Sequence, residues 1–204
     1  GVVVGSSEYE KSTPALPSSS RLGVILNAKW NIYFKGIFVK RNIIIFILGA
    51  AAVVALDQIT KAAITSRFLL HESSTIIDGF FNLVYVMNPG AAFGFLAGAS
   101  ATFRYVFFTG ITTVAILLII YYLAKNKHGS IITVVSLTLI FSGAVGNLID
   151  RIRFGAVVDF LDFYIGACHW PAFNVADSAI TVGAILMIWE MIGARKRNPP
   201  VEES

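Results

Sequence analysis

The chain has 204 residues, of which 56% are apolar and only 14% charged, with a mean hydropathy of +0.73. Soluble domains carry about a quarter charged residues, so this composition excludes an ordinary soluble globule and indicates an integral membrane protein. The net charge of +4 lies beside apolar runs, where it meets anionic headgroups rather than nucleic acid, and the single Cys168 excludes an internal disulfide.

Residues 1–39 contain the polar, Ser- and Pro-rich stretch GSSEYEKSTPALPSSS. Such composition predicts a disordered leader. The stretch lacks the basic start, apolar centre and small-residue cleavage site of a secretory signal. WNIYFKG, loosely like an expression-tag scar, gives the alternative of a tag-derived leader.

A spanning helix needs about 20 residues. Four runs meet that length: Asn42 to Ile64, Phe103 to Leu123, Ser130 to Leu148 and Asn174 to Ile192. They define a membrane domain over residues 40–195, followed by a short tail, 196–204. Lys35, Lys40 and Arg41 precede the first run, Lys125 and Lys127 lie between the second and third, and Arg195, Lys196 and Arg197 follow the last. The positive-inside rule then puts both termini and the 2–3 connection in the cytoplasm, and residues 65–102 and 149–173 outside. FNLVYVM followed by the turn signal NPG predicts a short strand or hairpin in the first outer segment. The glycine-rich NPGAAFGFLAGAS is a candidate lid.

Asp57 and Lys61 in DQITK stand four apart on one helix face, either as an ion pair closing the helix or as contacts to a site. Asn88 and Gly90 belong to NPGAAFG, an ordinary turn or one whose amide meets a peptide carbonyl. GAVGNLIDR ends the third run with Asn147, Asp150 and Arg151. Asp150 lies at the helix end where the dipole disfavours an anion, so Arg151 or Arg153 is its expected partner.

Asp159 and Asp162 in VVDFLDF fit a short interfacial helix showing both acids to water. Asn174-Val-Ala-Asp177 has the spacing of a helix cap, with Asp177 closing the first turn of the last span. A carboxylate at bilayer depth costs at least ~2.5 kcal/mol and usually has a function. Two held together can share a proton, one serving as base and the other as acid. Asp159 and Asp177 flank a loop that is able to fold them together; spacing alone leaves this open. Ser178, His169 and Cys168 have no motif-placed partner for nucleophilic catalysis, and the scattered histidines form no HExxH metal site.

DQITK, NPGAAFG, GAVGNLIDR, VVDFLDF and WPAFNVADSAI occur in the order found in lipoprotein signal peptidases. Over residues 40–195 the chain resembles that signal peptidase II family. The resemblance implies an all-α membrane protein of four transmembrane helices with a small extracytoplasmic β-element. It implies an aspartyl endopeptidase of the bacterial inner membrane, active on the extracytoplasmic side without metal or other cofactor. Such an enzyme removes signal peptides from prolipoproteins by cutting before a cysteine that carries diacylglyceryl. The family's catalytic pair matches Asp159 and Asp177. Its supporting positions match Asp57, Lys61, Asn88, Gly90, Asn147, Asp150, Arg151, Asn174 and Ala176. The implied partners are prolipoproteins, membrane lipids and cyclic peptide antibiotics of the globomycin type, and a monomer is expected. The rival reading from the residues alone is a small four-helix transporter or channel component whose acids bind cations.

Overall fold

The computed structural model describes residues 19–90, 96, 98–126 and 129–197, with side chains described between residues 40 and 193. Helical backbone begins at Ser19, within the stretch expected to be an unstructured leader. After Pro17 no proline interrupts the chain until Pro89, so nothing there breaks the helix. Residues 1–18 and six of the thirteen positions of the candidate lid (91–95 and 97) lie outside the described residues.

The four apolar runs are helices: α1 (Ser19–Arg67), α2 (Ala101–Lys125), α3 (Ile131–Phe154) and α4 (Val175–Arg197). Their spanning parts, Lys40–Arg67, Ala101–Lys125, Ile131–Phe154 and Val175–Gly193, run from 19 to 28 residues. At 1.5 Å rise each is long enough to cross a hydrocarbon core of about 30 Å. Ser100 and Ser130 cap α2 and α3 by accepting from the N–H groups of Phe103 and Thr133. α3 continues past the expected end at Leu148 because IDRIRF, which follows it, contains neither Gly nor Pro. It stops at Gly155, whose φ of 75° closes the helix in the left-handed region.

That turn leads directly into a sheet. β1 (Ser73–Ile77) and β2 (Phe81–Asn88) lie between α1 and α2, and β3 (Val157–Ile165) and β4 (Cys168–His169) between α3 and α4. The order is β1-β2-β3-β4, antiparallel throughout. VVDFLDF is therefore a strand, not an interfacial helix. Its β-branched and aromatic residues pair with β2, with Asn88 opposite Val157 and Val86 opposite Asp159. A register shift between Leu83 and Val86 interrupts the ladder beside Asp159. Because β2 and β3 pair, the α1–α2 and α3–α4 connections lie at the same end of the helices.

α3 is the inner helix. Its buried face is small and polar: Ser136, Thr138, Ser142, Gly143, Gly146, Asn147 and Asp150. The hydroxyls of Ser136, Thr138 and Ser142 donate to carbonyls of their own helix, so they are satisfied without a partner helix. Small residues let backbones approach where the lipid supplies no hydrophobic drive. Gly146 is the clearest case, since a Cβ there would lie 2.5 Å from the Asp57 carboxylate and 3.3 Å from the Ala176 side chain. Large apolar residues such as Leu48, Leu118, Ile185 and Trp189 face outward.

Candidate active site

The helices converge on a buried charge cluster near the sheet. Asp57 and Lys61 are 0% and 3% exposed, too deep for the lysine to reach water. Lys61 Nζ meets Asp57 Oδ2 at 2.9 Å, Asp150 Oδ2 at 2.8 Å and Asn147 Oδ1 at 3.1 Å, matching its three N–H donors. Two carboxylates share one ammonium, and neutral donors supply the rest. Asp57 Oδ1 accepts from Ala176 N at 3.0 Å, and Asp150 Oδ2 from Val158 N at 3.1 Å. Gln58 Nε2 lies 3.1–3.2 Å from Asp57, Asp150 and the Gly146 carbonyl. Such satisfaction is what permits ions at this depth. The expected partner of Asp150 was an adjacent arginine. The observed one is Lys61, brought by a different helix.

Asn147 carries this cluster onward. Its Oδ1 accepts from Lys61 and from Asn174 Nδ2 (3.2 Å), so its amide nitrogen faces Asp177 and donates to Oδ1 at 2.7 Å. Asn174 and Asp177 cap α4 reciprocally: Asp177 N donates to Asn174 Oδ1 at 2.9 Å, and Asn174 N to Asp177 Oδ2 at 3.3 Å. The cap spacing read from NVAD is thus realised. Asn174 Nδ2 also donates to Asp159 Oδ1 at 2.7 Å and to the Val158 carbonyl. One residue at a helix start therefore bonds the carboxylates of both β3 and α4, Asp159 through its side-chain amide and Asp177 through its backbone N–H.

Asp159 is 1% exposed. Its second oxygen accepts from Asn88 Nδ2 at 2.9 Å, while Asn88 Oδ1 accepts from Gly90 N. The NPG turn thus orients a donor onto Asp159. Burial first, and the Asp177 charge second, push the Asp159 carboxyl up to about 7, against hydrogen bonds from Asn88 and Asn174 and the charge of Lys61.

Arg151 completes the ring. Among the described residues, Nη1 makes a single 3.5 Å hydrogen-bond contact, with the Asn147 carbonyl. The negative charges of Asp177, Asp159 and Asp150 act on the guanidinium. It lies 5.8 Å from the Phe108 ring centre, and the same ring stands against Gly90. Phe108 and Gln58 are site residues that sequence reasoning missed. Gln58 sits inside DQITK beside a flagged acid; Phe108 carries no signal among its aromatic neighbours.

Asp162 stands apart from this network. It accepts from Asn82 Nδ2 at 2.9 Å and meets His169 Nδ1 at 2.9 Å, joining the strands of the outer sheet. Cys168 is exposed. Among the described residues no three His, Cys, Asp or Glu side chains converge as metal ligands.

Comparison with known proteins covers most of this architecture. A family model described as signal peptidase (SPase) II matches residues 49–193. A lipoprotein signal peptidase of Syntrophus aciditrophicus is 53% identical over 159 residues, 78% of this chain and 99% of that protein. One from Geobacter metallireducens is 45% identical over 159 residues, 78% of this chain and 97% of the relative. A solved structure described as a bacterial membrane enzyme, determined by the in meso method, superposes with a TM-score of 0.66 at 36% identity, covering 78% of this chain and 93% of that one. With the last three spans, most of the first, the sheet and both linked aspartates inside the matched residues 49–193, the chain belongs to the signal peptidase II family of membrane proteases.

Proposed function

We propose that Asp159 and Asp177 are the catalytic pair with which this peptidase cleaves prolipoproteins before their diacylglyceryl cysteine. The observation that carries the reading is Asn174, which hydrogen-bonds both carboxylates at once. One carboxylate takes a proton from a water as the water oxygen bonds to the scissile carbonyl carbon. The other gives its proton to the amide nitrogen as the C–N bond breaks. The products are a signal peptide ending in a carboxylate and a lipidated cysteine with a free amine. The two acids titrate as a coupled pair.

The remaining residues take supporting roles by their bonds. The amide nitrogens of Asn88 and Asn174 are turned to Asp159, so they hold that carboxylate rather than a developing oxyanion. Arg151, with a single long bond among the described residues, to its own helix, is the donor left to meet the oxyanion. Asp57, Lys61, Asp150 and Asn147 fix α1, α3 and α4 around Asp177. Gly90 braces Asn88, and Ala176 joins α4 to Asp57.

The substrate's acyl chains add about 0.8 kcal/mol per buried CH₂ and keep the scissile bond at membrane depth. A cyclic peptide of the globomycin type inhibits by lying across the same carboxylates. The enzyme sits in the bacterial inner membrane as a monomer, with the sheet outside and both termini in the cytoplasm, as the basic residues beside the spans favour. The test is cleavage of a diacylglyceryl precursor by Asp159→Asn and Asp177→Asn, each with its fold verified. Both are expected to lose cleavage; wild-type cleavage by either would defeat the proposal.

A further inference from the structure

At the end of the bundle away from the sheet, α1 and α2 part to leave a cleft of about 290 Å³. Ile43, Phe46 and Ile47 form one wall, Ile120 and Leu123 the other, and Val134 of α3 lies behind them. Phe46 is fixed from inside by the ring of Phe141, 4.9 Å away. Ile43 and Ile120 remain about half exposed, at 50% and 46%, so the cleft opens sideways at a level that the bilayer occupies. From Asn42 to Asp57 along α1 the rise is roughly 22 Å, which separates this cleft from the aspartate pair by most of the membrane. None of the residues named above for catalysis lines it.

An apolar cleft open to lipid is filled by hydrocarbon, since water gains nothing there and a void forfeits contacts on both walls. Its size, at the lower edge of the ~300–1,000 Å³ typical of small-molecule sites, suits a length of acyl chain rather than a whole polar ligand. The polar end of that ligand is set by what lies at the mouth. Asn42, donating to the Gly129 carbonyl at 3.2 Å, and Asn126 mark where the lining turns polar. Lys40 and Arg41 immediately precede Asn42, and Lys125 immediately precedes Asn126; all three are exposed. Lys125 lies over the Tyr121 ring at 5.8 Å. The spanning stretches that line the cleft carry no acid from Lys40 to Leu56, along α2, or in α3 before Asp150; Glu190 on α4 is the acid at this level.

We propose that this cleft is a binding site for one anionic glycerophospholipid, its acyl chain between α1 and α2 and its phosphate at Lys40 and Lys125. The site is independent of the catalytic assignment. It would bind a structural lipid in the leaflet opposite the sheet, separate from any substrate lipid.

The experiment is native mass spectrometry of the full chain in detergent, titrated with phosphatidylglycerol or phosphatidylcholine of identical chains. One phosphatidylglycerol is expected to be retained in preference to phosphatidylcholine. A basic residue near a membrane surface contributes about 1 kcal/mol toward anionic lipid, so Lys40→Gln and Lys125→Gln should each weaken that preference about fivefold. Ile120→Trp and Ile47→Trp fill the cleft from opposite walls, and each should lose the retained lipid while cleavage of a lipidated precursor stays unchanged. Equal retention of the two lipids by the wild-type chain would overturn the proposal. So would undiminished phosphatidylglycerol retention in whichever tryptophan variant folds.

Discussion

Asp159 shows how a single side chain is tuned here. Held at about 7 against an ordinary 3.8, it keeps a proton in the folded chain that the unfolded chain has already released between those values. Its contribution to stability is therefore largest at the acid end of that window and is lost as pH rises through about 7. Catalysis by a pair sharing one proton declines on the same alkaline side. Because the Asn88 hydrogen bond favours the ionised form, Asn88→Ala should slow cleavage and also move the alkaline limb to higher pH. A pH–rate profile from about pH 5 to about pH 9 measures both. A slower enzyme with an unmoved limb would mean that Asn88 does not act on the pair.

At the scale of elements, the close approach of α3 to α1 and α4 decides whether the charge cluster forms. Gly146→Ala sets a methyl group 2.5 Å from an Asp57 oxygen, against a network with no slack. The expected cost is roughly 1–3 kcal/mol, read as a lower unfolding temperature in detergent together with lower activity. Unchanged stability would mean that α1 and α3 yield at this contact. The same elements show what the sequence disclosed. Run length and hydropathy located all four spans, because spanning is a local demand on about 20 consecutive residues. The end of α3 was placed too early, since Asn147 and Asp150 look like an exit while the actual stop signal is Gly155. β3 was obscured because acids three apart fit a helix face as readily as a strand, and only β2, some 70 residues away in Asn88–Asp159, settles the choice. The Asp57–Lys61 pair and the Asn174–Asp177 cap were legible because both are local. Asp150–Lys61 and the joining of Asp159 to Asp177 were not, since they arise from packing between distant segments.

For the whole molecule, pairing of β2 with β3 commits both long connections to one side of the membrane, and the orientation proposed above makes that side extracytoplasmic. Cys168, exposed on β4 and the sole cysteine of the chain, reports on this assignment. A membrane-impermeant maleimide should label it in intact spheroplasts; labelling only after lysis would reverse the orientation. The central claim is that two aspartates from different elements, joined by Asn174, act as one catalytic unit. Groups that work as a unit lose activity non-additively. The direct measurement is therefore the rate of cleavage of a diacylglyceryl precursor by Asp159→Asn, Asp177→Asn and the double variant. The account predicts that each single change reduces the rate as far as the double change does. A double variant slower by the product of the two single effects, or a single variant that retains the wild-type rate, would contradict it.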